Sequence, residues 1–232
     1  MILLTTRSSA ASIAAAATIF IQSITVLVPP ANSIDMMPSW RYNTANDIPV
    51  KNFRTHKVIY GKTVKVIDGD TIRIRHLPFY PLWRDGTDYD GLLSENTISV
   101  RVYGVDAPEI AKFGNPSMPR AEEARDYTEK LVGQKVVRVK LLRKDQYGRA
   151  VAKIQTRGIL PVVTKTDLTK DLAKNGYGTL YTGGGAEYDG KREELEKLIQ
   201  RAQRKKKGIW SEGMNVQTPA EYKRARKVGK KK

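Results

Sequence analysis

Over 57–67, and again over 71–75, β-branched residues alternate with cations. That period of two predicts a pair of strands, each buried on one face. Asp68-Gly69 between them is a short-range hairpin signal. A third strand is predicted over 97–105 and stops at Asp106-Ala107-Pro108, because proline cannot donate to a ladder. The stretch 77–96, rich in turn formers and holding Trp83, reads as a loop inserted between the second and third strands. The period then changes. Ala121, Ala124, Tyr127, Thr128 and Leu131 recur at helical spacing over 120–131, with Gly133 as the stop. Two more strands, 136–142 and 149–154, flank a turn at 145–148. A short helix follows at 167–175, ended by Gly176. A last helix presents Leu195, Leu198, Ile199 and Ala202 on one face until Gly208 closes it before Ile209 and Trp210.

Five short strands, with helices after the third and fifth, predict an α+β domain: a five-stranded, OB-fold-like Greek-key β-barrel with about three helices. An apolar helix is expected ahead of it. Arg7 is the only charge before Asp35, and nothing ionisable lies between Ser8 and Pro29. A spanning helix needs about 20 such residues. Residues 1–33 therefore read as a signal or membrane anchor, with an organellar transit peptide as the alternative and a dispensable soluble tail as a third. Residues 34–54 mix Pro, Asn, Ser and Asp without period and read as a linker; 55–212 form the domain, and 213–232 a basic C-terminal tail.

Composition narrows the chemistry. Forty-one Lys and Arg against 24 Asp and Glu give a net charge of +17 over 232 residues. That excess favours polyanionic partners, nucleic acid first and anionic membrane second. Part of it is tail, since Lys223, Arg224, Arg226, Lys227, Lys230, Lys231 and Lys232 crowd the end. The absence of cysteine excludes disulfides, thiolate zinc sites and cysteine nucleophiles, and two histidines argue against a histidine-rich metal site. A metal here would be a hard cation held by oxygen, calcium or magnesium.

Each candidate residue has a plain reading beside the chemical one. Asp68 is explained by the turn, whereas Asp70 and Thr71 are not needed for it, and a carboxylate at the mouth of a hairpin binds a hard cation. On the third strand Val100 and Val102 share one face and Arg101 and Tyr103 the other; Arg101 faces either solvent or a cleft. Asp106-Ala107-Pro108-Glu109 sets two carboxylates around a proline turn, either as turn acids or as a metal ligand and a water-activating base. Arg149 taken alone is a surface charge. Residues 185–191 match the opening of a phosphate-cradling loop, but Arg192 stands where Ser or Thr must meet magnesium, which argues against nucleotide binding.

Taken together, the DGDT hairpin, the strand RVYGVDAPE and the turn DQYGR resemble the staphylococcal nuclease (thermonuclease) family, and the resemblance runs over 58–210 and includes the closing GIWSE. With its apolar start and its ending at Pro219-Ala220-Glu221-Tyr222-Lys223, the plan is most similar to the membrane-anchored endonucleases of fungal mitochondria. The resemblance implies Ca2+ bound by Asp70 and Asp106 with the carbonyl of Ala107, and catalysis by Arg101, Glu109 and Arg149. It also implies a substrate-stacking role for Tyr181. Ala107 stands where the family has threonine, Gln146 where bacterial members have lysine, and the 77–96 insertion is longer than theirs. The expected activity is calcium-dependent endonucleolytic hydrolysis of DNA or RNA by a monomer that is membrane-anchored, secretory or organellar, the mitochondrion included. A non-catalytic nucleic-acid-binding barrel is the alternative, though a pure binder has no use for Glu109. A membrane scaffold accounts only for the two ends.

Overall fold

The computed structural model describes residues 41–81, 91–111, 114, 116–157, 165–213 and 217–229. The apolar helix expected within 1–33, the middle of the 77–96 loop and the last residues of the tail lie outside the described residues. Among the described residues, no helix is long and apolar enough to cross a membrane.

The alternation at the start of the domain gives β1 (Val58–Asp68), which folds back through Gly69 and Asp70 onto β2 (Thr71–His76). Ile59, Val66, Ile72 and Ile74 are buried in the core. β3 (Ile98–Val102) lies antiparallel to β2, while β5 (Val136–Lys144) pairs with β1 and then with β6 (Ala150–Arg157). A parallel pairing of β3 with β6, Val100 opposite Ala150 and Val102 opposite Ala152, closes the ring. The sheet is thus the expected five-stranded barrel. Val100, Val102, Val137, Val139, Leu141, Ala152 and Ile154 fill its interior.

The predicted helices are present with small shifts at their ends. α2 (Ala121–Val132) buries Ala121, Ala124, Thr128 and Val132. Its Thr128 hydroxyl donates to the Gly69 carbonyl at 2.7 Å, which ties the helix to the hairpin turn. α3 (Leu168–Asn175) starts where the Asp167 carboxylate accepts from the Thr169 amide and stops at Gly176, whose φ of 75° suits glycine. α4 (Arg192–Arg204) packs Leu195, Ile199 and Ala202 inward, and the 3-10 turn Gly208–Glu212 buries Ile209 and Trp210 behind it.

Five elements had no signature in the hydropathy pattern. The stretch read as linker ends in α1 (Val50–Arg54), which buries Phe53 and packs on β5. β7 (Lys165–Asp167) extends the far end of β6. β4 (Val105–Asp106) pairs with β8 (Thr179–Leu180), too short a ladder to show a period. The stretch read as basic tail contains α5 (Pro219–Gly229). There the Thr218 amide donates to the Glu221 carboxylate at 2.8 Å and the Glu221 amide to the Thr218 hydroxyl at 3.3 Å, a reciprocal cap.

Candidate active site

Arg101 sits at the closing seam of the barrel, opposite Thr71 on one side and Val151 on the other. Its valine neighbours fill the interior, so its side chain leaves by the other face, yet it is only 7% exposed. It enters an acid pocket. Nη1 donates to Asp70 Oδ1 at 3.2 Å and Nη2 to Asp106 Oδ1 at 2.6 Å. Asp70 comes from the hairpin turn and is fixed further by the Ala107 amide, which donates to Oδ2 at 3.0 Å, and by the Thr71 hydroxyl at 2.9 Å. Ala107, from the proline turn after β4, thus meets the hairpin through its backbone. Its methyl group and that of Ala124 lie so close to Gly69 that a Cβ there would approach them to 2.8 and 3.0 Å.

Above the pocket opens a cleft of about 980 Å³ lined by Arg101, Asp106, Glu109, Arg149 and Tyr181. All three side chains expected to catalyse therefore face one space, as does Asp106; Asp70 and Ala107 lie beneath it at 2% exposure each. Arg149 is aimed by Asp145, whose Oδ2 accepts from Nε at 2.7 Å while Oδ1 accepts from the amides of Arg149 and Tyr147. Tyr181 lies with its ring 5.1 Å from the Arg101 guanidinium carbon, and its carbonyl accepts from the Tyr188 hydroxyl at 2.5 Å.

The sequence reading missed Arg143, Tyr147, Lys223 and Arg224 in the walls of this cleft. Lys223 matters most: its Nζ lies 2.7 Å from Asp106 Oδ1 and 2.9 Å from Glu109 Oε1. The 185–191 segment is no phosphate cradle. Gly185 accepts from Arg143 through its carbonyl at 2.6 Å, and Asp189 is bound by Lys140 and Lys153 at 2.6 and 3.2 Å, which pins the loop to the barrel wall.

The electrostatics follow from two buried carboxylates sharing few cations. Burial alone would raise Asp70, but Arg101, Lys223, the Ala107 amide and the Thr71 hydroxyl bring it down to about 2. Asp106 is pushed up, first by burial and then by the Asp70 charge, which together outweigh Lys223 and Arg101. Arg101 is raised because the two aspartates overcome the burial that would lower it. A hard divalent cation fits this donor set. Beyond burial, the Asp70 charge raises Asp106, a repulsion such an ion would relieve, and two cations, Arg101 and Lys223, already rest on that carboxylate. Among the described residues, no group of three or more His, Cys, Asp or Glu side chains is placed to hold a metal.

A groove that only held a strand would need cations and aromatic faces, whereas here the Glu109 carboxylate lines the same cleft of the OB-type barrel as Arg101 and Arg149. The family model described as "Staphylococcal nuclease homologue" matches residues 99–212. Endonuclease Htp3 of Saprolegnia parasitica is 41% identical over 186 residues, covering 80% of this chain and 85% of its own. Probable endonuclease LCL3 of Komagataella phaffii is 37% identical over 192 residues, covering 79% and 82% respectively. The protein of the same name from Schizophyllum commune is 38% identical over 175 residues, with 72% and 60% covered. The chain belongs to the staphylococcal nuclease family.

Proposed function

We propose that this protein is a calcium-dependent endonuclease that hydrolyses phosphodiester bonds within DNA or RNA. The observation that carries the reading is the convergence of Arg101, Glu109 and Arg149 on one cleft above the Asp70 and Asp106 pair. Its relatives named endonucleases, similar over most of their length, support it. Asp70, Asp106 and the Ala107 carbonyl would hold the ion, which when bound supplies charge neutralisation for the phosphate and acidifies water. Glu109 takes the proton from the attacking water, a general-base role commonly worth about 10²–10⁴ in rate. Arg101 and Arg149 donate to the equatorial oxygens as charge builds, with a fork geometry that lysine lacks. Tyr181 offers a ring face to a base next to the scissile phosphate. Membrane attachment through 1–33, at a mitochondrion or another organelle, belongs to the same proposal and is read by carbonate extraction, which leaves an integral anchor in the pellet.

Circular single-stranded DNA and RNA distinguish internal cutting from end trimming. The full chain is expected to linearise them in calcium and to stop in chelator, with Glu109→Gln slower by about 10²–10⁴. Scission that continues unchanged in chelator, or in the Gln variant, overturns the mechanism. Salt-sensitive binding without scission would mark a strand-binding module instead.

A further inference from the structure

α5 is built as part of the cleft. Its reciprocal cap and the proline in its first turn define its start, and the Tyr222 hydroxyl donates to the Pro116 carbonyl at 2.7 Å, fastening it to the loop that follows β4. Ala220, Lys223 and Arg224, three and four residues apart, face the cleft together. Lys223 reaches past the others. Its ammonium bridges Asp106 Oδ1 at 2.7 Å and Glu109 Oε1 at 2.9 Å, sharing the Asp106 oxygen with Arg101. Its side chain keeps 35% of its surface exposed, and the residue lines the cleft.

We infer that Lys223 is a further residue of the active site, a resident cation that fills the acid pocket before the divalent ion enters and sets how tightly that ion is held. The inference rests on the calcium reading above. Asp106 Oδ1 already carries two cationic groups, Arg101 and the Lys223 ammonium. A divalent ion added to that oxygen would be repelled at close range by the ammonium, the one of the two not also held by Asp70. Ion entry therefore displaces Nζ from that oxygen into the cleft, which Arg143, Arg149 and Arg224 also line. The same displacement releases Glu109 from its ion pair. One event would thus load the ion and break the Lys223–Glu109 pair. In the ion's absence the lysine offsets charge in the pocket and holds α5 against the barrel.

Calcium titration of the full chain by calorimetry, with terbium luminescence as a second readout, tests this without recourse to catalysis. Lys223→Met keeps the apolar stem and Lys223→Gln a polar end, while neither carries charge. Both are expected to bind calcium about tenfold more tightly than the native chain, with Lys223→Arg close to native. Equal or weaker binding by both neutral variants overturns the inference. Asp106→Asn separates the two levels of argument. If it abolishes binding while the native chain and the neutral variants bind alike, the calcium reading stands and the role of Lys223 falls. If no form of the chain binds calcium, or Asp106→Asn binds like the native chain, both fall.

Discussion

The Arg149 guanidinium is held by Asp145, four residues earlier, through a bond of 2.7 Å from Nε, and the other oxygen of the same carboxylate closes the turn by accepting the Arg149 and Tyr147 amides. One acid thus fixes both the backbone and the direction of the side chain. Asp145→Asn keeps the turn acceptor and loses the charge that orients Arg149. Turnover on an oligonucleotide is expected to fall about tenfold to a hundredfold, with KM little changed, as for a misplaced catalytic group. Steady-state kinetics read the split, and an unchanged kcat would leave Asp145 a turn residue only.

Arg101 joins two buried acids that otherwise repel one another. Arg101→Met is expected to cost about 3–5 kcal/mol of stability, the usual consequence of stranding buried charge. Calcium should restore part of the loss by replacing the missing cation. Urea midpoints with and without calcium measure both effects, and turnover should drop by about 10²–10³.

Gly69 tests the packing beneath the site. Its φ lies outside the left-handed region, so no backbone preference demands glycine; space does, since a Cβ would meet Ala107 at 2.8 Å and Ala124 at 3.0 Å. Gly69→Ala is expected to destabilise by about 1–3 kcal/mol, read from chemical denaturation.

His76 gives the fold an acid limit away from the cleft. It is 6% exposed, stacks on Tyr42 at 4.6 Å, and accepts the Tyr42 amide on Nδ1 at 3.0 Å, a bond that needs the unprotonated nitrogen. Burial, with help from Arg41 and Lys57, pushes it down to about 4 from an ordinary 6.5. The unfolded chain therefore binds the proton first. Stability from this group is fully present above about 6.5 and is lost as pH falls toward 4, by on the order of 3 kcal/mol. His76→Gln should lose less stability than the native chain between neutral pH and pH 4.5, as reported by urea midpoints at the two values.

The sequence was most legible where one physical cause governs a stretch. Alternation located the barrel strands, and the apolar stripe at Leu195 and Ile199 located α4. The direction of Arg101 was not legible, because on a closed barrel the face opposite the core opens on solvent or on a cleft according to what a distant element brings. Here the Val105–Asp106 bridge and α5 bring it. Tyr103, placed beside Arg101 by the period of two, is instead fully buried with its hydroxyl donating to Asp167 at 3.1 Å, and Gly104 at φ 70° bends the chain just beyond it. Asp68-Gly69 marked the hairpin correctly, but for close approach and not for a left-handed turn. α5 was hidden by its charge, although Thr218-Pro219-Ala220-Glu221 carries the cap and first-turn proline that announce a helix.

The place where the long insertion joins the barrel has a practical meaning. Its described ends leave from His76 and return at Ile98, whereas the residues serving the cleft sit at Thr71 and Arg101, at the other end of the same strand pair. At about 3.3 Å per residue this separates the two ends by roughly 10 Å along the strands. Grafts or tags placed within the insertion would enter the barrel at the end remote from Arg101, so altering the loop and keeping the cleft residues in place are separable by position, provided the Arg73 contacts to Leu93 and Thr97 are retained.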